Sequence, residues 1–134
     1  MILGIGIDLA EIPRVQQAIE RHGERLLKRI FTPAEIAYCR TYKNPHERFA
    51  ARFAAKEAAM KALGTGWRGG ITWQDFEVSN AADGRPSLRL SGKALEVFRK
   101  LGGAQILLSL THAETYALAQ VIIEGGGAVR GKES

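Results

Sequence analysis

The sequence is poor in the residues that build covalent frameworks and membrane anchors. Its 134 residues include one cysteine, Cys39. That excludes an internal disulfide framework and any CxxC zinc or redox site, and Cys39 reads as a small, half-buried thiol in a reducing compartment. No apolar run approaches the roughly 20 residues of a membrane span. The opening Met1-Ile2-Leu3-Gly4-Ile5-Gly6-Ile7-Asp8 has no basic stretch and meets an acid too early for a secretory signal. The expectation is a cytoplasmic protein with no membrane partner. What is present is ordinary for a globular chain: 46% hydrophobic and 25% charged residues, enough for one domain and not two. The 19 Lys and Arg against 14 Asp and Glu leave a formal charge of +5. A basic balance suits an anionic partner, whether nucleic acid, a phosphate ligand, an acidic protein or a membrane surface.

Ile2 to Leu9 is apolar and β-branched with two interposed glycines, which predicts a buried strand. An amphipathic helix follows from about Pro13. Ile12, Val15, Ile19 and Leu26 share a face, and Gly23 is a candidate interruption. Thr32-Pro33-Ala34-Glu35 is a capping box with proline at the first helical position, predicting a short helix to about Arg40. Asn44-Pro45-His46-Glu47 repeats the start signal before a long alanine-rich helix that ends near Gly64. Short strands are expected at Phe76–Ser79 and Pro86–Leu90, around a turn at 82–85. Ser91 is placed to cap a helix that stops at Gly102-Gly103. Gln105–Thr111 and Thr115–Ile123 read as a hairpin turning at His112-Ala113-Glu114. Strands and helices do not alternate regularly, which favours α+β over a doubly wound sheet. Residues 1–124 form the expected single domain, and 125–134, opening with Gly125-Gly126-Gly127, read as a flexible C-terminal tail.

The long helix carries a carboxylate in an unexpected place. With Arg48 at zero azimuth, Phe49, Phe53 and Met60 fall at roughly 100–140° and Ala50, Ala54 and Ala58 at roughly 200–280°; Glu57 lies near 180°, inside the apolar arc. A lone carboxylate there is costly to ionise without a cation. Lys61, four residues on, offers an intrahelical pair. Asp8 offers more. Gly4, Gly6 and Asp8 share one face of the first strand, and two glycines on one face let another backbone approach closely. Packing that face on the alanine flank brings Asp8 and Glu57 into one site. Paired carboxylates repel unless a proton or metal intervenes, and all-oxygen ligation suits Mg²⁺, which keeps waters and binds substrate phosphate. Arg48, Arg52 and Lys56 form a ridge beside the arc, readable alternatively as a solvated helix face. Gly64-Thr65-Gly66 offers exposed backbone N–H groups but is not a P-loop, since no Gly-Lys-Ser/Thr follows.

Gly4-Ile5-Gly6-Ile7-Asp8 with Arg14 six residues on, then Phe53-Ala54-Ala55-Lys56-Glu57-Ala58-Ala59-Met60-Lys61-Ala62, resembles the short-chain 4′-phosphopantetheinyl transferases, the holo-[acyl carrier protein] synthase family. Phe31-Thr32-Pro33-Ala34-Glu35, Gly64-Thr65-Gly66 and Ser109-Leu110-Thr111-His112 support the resemblance, which runs from about Ile2 to Ile123. It implies an antiparallel sheet packed against the long helix and shorter helices. It also implies transfer of the phosphopantetheine arm of coenzyme A to a serine of apo acyl carrier protein, with release of adenosine 3′,5′-bisphosphate, in fatty acid biosynthesis. By the same resemblance Asp8 and Glu57 ligate Mg²⁺, and Lys61 and Lys56 contact phosphate oxygens. Arg52 and His112 hold the nucleotide, including its 3′-phosphate, and the Gly64-Thr65-Gly66 loop lies beside it. Arg14, Arg21 and Arg25, aligned within roughly 40° on the first helix, dock the acidic carrier. A homotrimer with active sites between subunits is implied, and nucleic-acid binding is not. Two alternatives remain at this level: a transferase serving polyketide or peptide synthetase carriers, and a basic binding module without catalysis, for which exposed stacking aromatics would be the sign.

Overall fold

The alanine-rich helix is central to the described residues, with the sheet on one side and helices on the others. The structure, a computed structural model, describes residues 1–126. In chain order the elements are β1 (Ile2–Glu11), α1 (Ile12–Ile30), α2 (Pro33–Arg40), α3 (Pro45–Leu63), a 3-10 turn (Trp73–Asp75), β2 (Phe76–Asn80), β3 (Pro86–Leu90), α4 (Gly92–Lys100), β4 (Gly103–His112) and β5 (Tyr116–Gly125). β1, β5 and β4 form an antiparallel sheet in that order, while β2 and β3 form a separate hairpin. The sheet lies against one side of α3, and α1, α2, β2 and α4 cover its other sides. This is the α+β arrangement expected of the sequence. Gly125 closes β5, one residue into the expected tail, and 127–134 lie outside the described residues.

The strand-to-helix contact is set by glycine. A Cβ on Gly4 would fall on the carbonyl oxygen of Ala62, and one on Gly6 on that of Ala58. Only hydrogen at those positions lets β1 lie directly on the α3 backbone. The alanines answer from the other side: Ala50, Ala54, Ala55, Ala58 and Ala59 are fully buried. A second cluster gathers Leu27, Ile30, Phe31, Cys39 and Phe49 under α2, with the rings of Phe31 and Phe49 4.9 Å apart. Cys39 is wholly buried rather than half-buried. Burial pushes its thiol up to about 12, so it is a packing group.

Several local expectations need correction. β1 is buried on one face only: Ile5, Ile7 and Leu9 are 57%, 53% and 59% exposed on the other. Among the described residues no element covers that side of the sheet. The capping box at Thr32 is complete, but Asn44 makes no side-chain cap bond to α3. Nor does Ser91 cap α4. Asp75 does so from a distance, its carboxylate accepting from the Ala94 N–H at 3.2 Å. α1 breaks at Gly23 (φ 63°, ψ −146°). The azimuthal alignment of Arg14 and Arg21 therefore does not extend to Arg25, which lies beyond the kink.

Candidate active site

Asp8 and Glu57 do meet. Both line one cleft of about 510 Å³ between β1, α1 and α3, together with Arg14 at its rim and Val15, Ile19 and Phe53 along its apolar wall. Asp8 reaches it from the glycine face of β1, Glu57 from the turn of α3 just before the Ala58 contact. Burial raises the Glu57 pKa, and the neighbouring Asp8 charge raises it further. A hydrogen bond from Trp67 and the charge of Lys61 oppose the rise. The site is thus a repelling carboxylate pair, partly desolvated, which a cation would relieve. Among the described residues no group of three or more His, Cys, Asp or Glu is placed to hold a metal. The donor set is two carboxylates, which fits Mg²⁺, an ion that takes one or two and retains water.

Lys61 extends from α3 to β1, not back along its helix. Its Nζ donates to Asp8 Oδ1 at 3.1 Å and to the Ile7 carbonyl at 2.9 Å, so the intrahelical pair with Glu57 gives way to a cross-element one. More than half its side chain stays exposed, leaving the ammonium open to an anion. Lys56 is different, and the expectation that it contacts phosphate is wrong for this structure. Its side chain is 0% exposed, and Nζ donates to Glu35 Oε1 (2.7 Å), the Ile30 carbonyl (2.7 Å) and the Trp73 carbonyl (3.2 Å). All three ammonium protons have acceptors. Glu35 is well held too, accepting from the N–H of Thr32 (2.9 Å) and of Val78 (2.7 Å). Burial lowers the Lys56 pKa, and the Glu35 charge opposes that. The Arg48–Arg52–Lys56 ridge is accordingly not a solvated face: Arg52 is 2% exposed.

Arg52 and His112 come together in a second cleft, of about 340 Å³, with Arg48, Tyr38 and Asn80. Arg52 donates to Asn80 Oδ1 at 2.8 Å and stacks over Tyr38 at 4.2 Å; Arg48 stacks over Tyr42 at 4.0 Å. Arg48 and His112 Nε2 are 3.4 Å apart. Among the described residues the buried Nε atoms of Arg48 and Arg52 have no partner. Buried donors without acceptors are unusual, and an anion is the ligand they suit. This cationic cleft and the acid cleft share no lining residue. Asp8 lies on one edge strand, β1, and His112 on the other, β4, with β5 between them. Two strand spacings, roughly 10 Å, and the body of α3 separate them.

Gly64 and Thr65 line a third cleft, of about 350 Å³, with Arg68 and Lys93, and Gly66 follows in the same loop. Gly64 is the left-handed residue (φ 80°) that ends α3. Arg14, Arg21 and Arg25 are all exposed, and Arg14 bonds Glu11 at 3.3 Å. Sequence reasoning missed Trp67, whose Nε1 donates to Glu57 Oε2 at 3.3 Å, and the Tyr38 and Tyr42 rings beneath the arginines. The tyrosines left a signal, an i, i+4 spacing matching that of Arg48 and Arg52. Trp67, in a glycine loop without periodicity, left none. No described helix is long and apolar enough to cross a membrane.

Comparison with known proteins places this geometry. The family model of the 4′-phosphopantetheinyl transferase superfamily matches residues 4–121. The holo-[acyl-carrier-protein] synthase of Koribacter versatilis is 60% identical over 124 residues, covering 92% of this chain and 99% of the relative. Among solved structures, the holo-[acyl-carrier-protein] synthase of Neisseria meningitidis superposes with a TM-score of 0.84 at 34% identity, over 92% of this chain and 99% of that one. That of Bacillus anthracis, in complex with CoA (3′,5′-ADP), gives 0.78 at 34% identity, over 94% and 99%. Likeness of that extent, over nearly the whole length of each relative, fixes kinship: the chain belongs to the 4′-phosphopantetheinyl transferase superfamily.

Proposed function

We propose that the protein is a holo-[acyl carrier protein] synthase. It transfers the 4′-phosphopantetheine arm of coenzyme A to a serine hydroxyl of apo acyl carrier protein and releases adenosine 3′,5′-bisphosphate, in the cytoplasm and in the service of fatty acid biosynthesis. The observation that carries this reading is the meeting of Asp8 and Glu57 in one cleft with Lys61 on the Asp8 carboxylate. The serine oxygen forms a bond to the phosphorus bearing pantetheine. The bond from that phosphorus to the bridging oxygen breaks, and its electron pair leaves with the adenosine bisphosphate. The serine proton leaves to Glu57 or to a water held beside it. Asp8 and Glu57 would hold Mg²⁺, which when bound neutralises charge on the diphosphate. Lys61 adds a point charge at the same oxygens.

The cationic cleft completes the site only if two chains share it. Arg52, Arg48 and His112 suit the 3′-phosphate and nucleotide, yet within one chain they sit at the sheet edge opposite the acid pair. A homotrimer in which the β1 edge of one chain faces the β4 edge of the next supplies both halves. The exposed Ile5, Ile7 and Leu9, beside Leu107 at 40% exposure, give that assembly an apolar surface to bury. The loop from Gly64 to Gly66, which follows Lys61 at the end of α3, borders the nucleotide. The carrier docks on the Arg14 and Arg21 face of α1, drawn by the net charge of +5, with Arg25 beyond the kink at its margin. Such steering weakens with salt.

Intact-mass measurement of apo acyl carrier protein with coenzyme A and Mg²⁺ tests the reading. The carrier gains one phosphopantetheine group; no gain would favour a basic binding module. Faster gain on polyketide or peptide synthetase carriers would reassign the pathway but not the chemistry.

A further inference from the structure

We infer that Trp67 is a positioning residue of the acid pair: its indole N–H fixes one oxygen of Glu57 and so turns the other toward Asp8 and a divalent cation. The inference rests on the reading of Asp8 and Glu57 as cation ligands. The contact is Trp67 Nε1 to Glu57 Oε2 at 3.3 Å. An indole is a donor only; it holds a carboxylate without competing for a metal.

The ring is braced for that task. Trp67 lies 4.0 Å from Trp73 and meets Phe76 edge-on at 5.8 Å. Phe76 is wholly buried. Trp73 in turn stacks on Phe53 at 5.3 Å, and its carbonyl accepts from Lys56 Nζ. Phe53, Lys56 and Glu57 occupy neighbouring positions on α3. The path therefore closes on itself: α3 holds Trp73 through Phe53 and Lys56, Trp73 holds Trp67, and Trp67 holds Glu57. The buried lysine that does not reach phosphate thus has a place beside the site, as anchor of the aromatic shelf. The loop that presents Trp67 is pinned next to it, with Arg68 N–H donating to the Gly66 carbonyl at 2.9 Å. Ordinary apolar packing does not require the bond to Glu57, since phenylalanine would fill the same shelf.

Trp67→Phe separates the two roles, because it keeps an aromatic ring on Trp73 and deletes the N–H. Mg²⁺ is titrated calorimetrically into full-length protein with coenzyme A present, and indole N–H resonances are followed on ¹⁵N-labelled protein. The Trp67 resonance of the parent shifts as Mg²⁺ is added. Trp67→Phe melts like the parent but binds Mg²⁺ about tenfold or more weakly, the range typical of lost outer-sphere partners. Half-saturating Mg²⁺ for transfer rises by the same factor, and KM for the carrier does not. Parent-like Mg²⁺ affinity in Trp67→Phe overturns the inference and leaves the ligand assignment standing. So does an indole resonance that ignores Mg²⁺ in the parent, which needs no variant. If parent and Glu57→Gln bind Mg²⁺ alike, the ligand reading itself fails and this inference falls with it.

Discussion

Lys56 and Lys61 lie five residues apart on one helix and live in opposite worlds. Lys56 is sealed against Glu35 and two carbonyls. Lys61 reaches over an exposed rim to Asp8. Seen as a helical wheel, Lys56 borders the apolar arc and Lys61 falls within it, and both look like phosphate ligands. What separates them is what else packs on α3. The ends of α1 and α2, the Trp73 turn and β2 close over Lys56, whereas among the described residues the hydrogen bonds of Lys61 go to β1. A lysine inside the fold stabilises when every N–H has its acceptor, and one at the rim keeps an N–H free for an incoming anion.

The sharpest way to break this comparison is Lys56→Met. It leaves the Glu35 carboxylate buried without its cation, and the expected loss is about 3–5 kcal/mol in denaturant unfolding. The double variant Lys56→Met/Glu35→Gln regains part of that loss. Equal stability of Lys56→Met and the parent would show that the sealed pair contributes nothing. Lys61→Ala should do the reverse. Its exposed ion pair is worth under about 1 kcal/mol in unfolding, while transfer to the carrier slows about 100-fold, as expected for a charge aimed at a transferring phosphoryl group.

The smallest effect concerns Glu57. Burial, with Asp8 beside it, raises its pKa above the ordinary value, so the folded protein binds that proton more tightly than the unfolded chain does. Ionised Glu57 therefore costs stability at neutral pH, and the cost fades as pH falls through the raised pKa toward the usual carboxylate range, roughly pH 4–5. Glu57→Gln removes the charge. It should melt slightly higher than the parent near neutral pH, by under about 1 kcal/mol given its partial exposure, with the gap closing in acid, while transfer is lost. A gap that widens in acid would reverse the sign.

The acid pair was legible in the sequence because two regular periods pointed at each other: Gly4, Gly6 and Asp8 on alternate strand positions, Ala54, Ala58 and Glu57 along one helical flank. The helix boundaries at Thr32, Pro33 and Gly64 were legible because capping is local chemistry. The burial of Lys56 was not, since a wheel fixes direction about one axis and says nothing of the neighbours that arrive from residues 30, 35 and 73. The uncovered face of β1 escaped for the same reason: an apolar β-branched run looks identical whether its second face meets this chain or another. Trp67 was hidden because its bond to Glu57 depends on a loop path with no repeat to read.

If Asp8 and Glu57 ligate Mg²⁺, the two carboxylates together hold one divalent cation. Crystals grown with coenzyme A and Mn²⁺ in place of Mg²⁺, measured at the manganese absorption edge, test it most directly. An anomalous peak is expected within coordination distance of both carboxylates. A peak bound elsewhere, with the two side chains still facing one cleft, would contradict it.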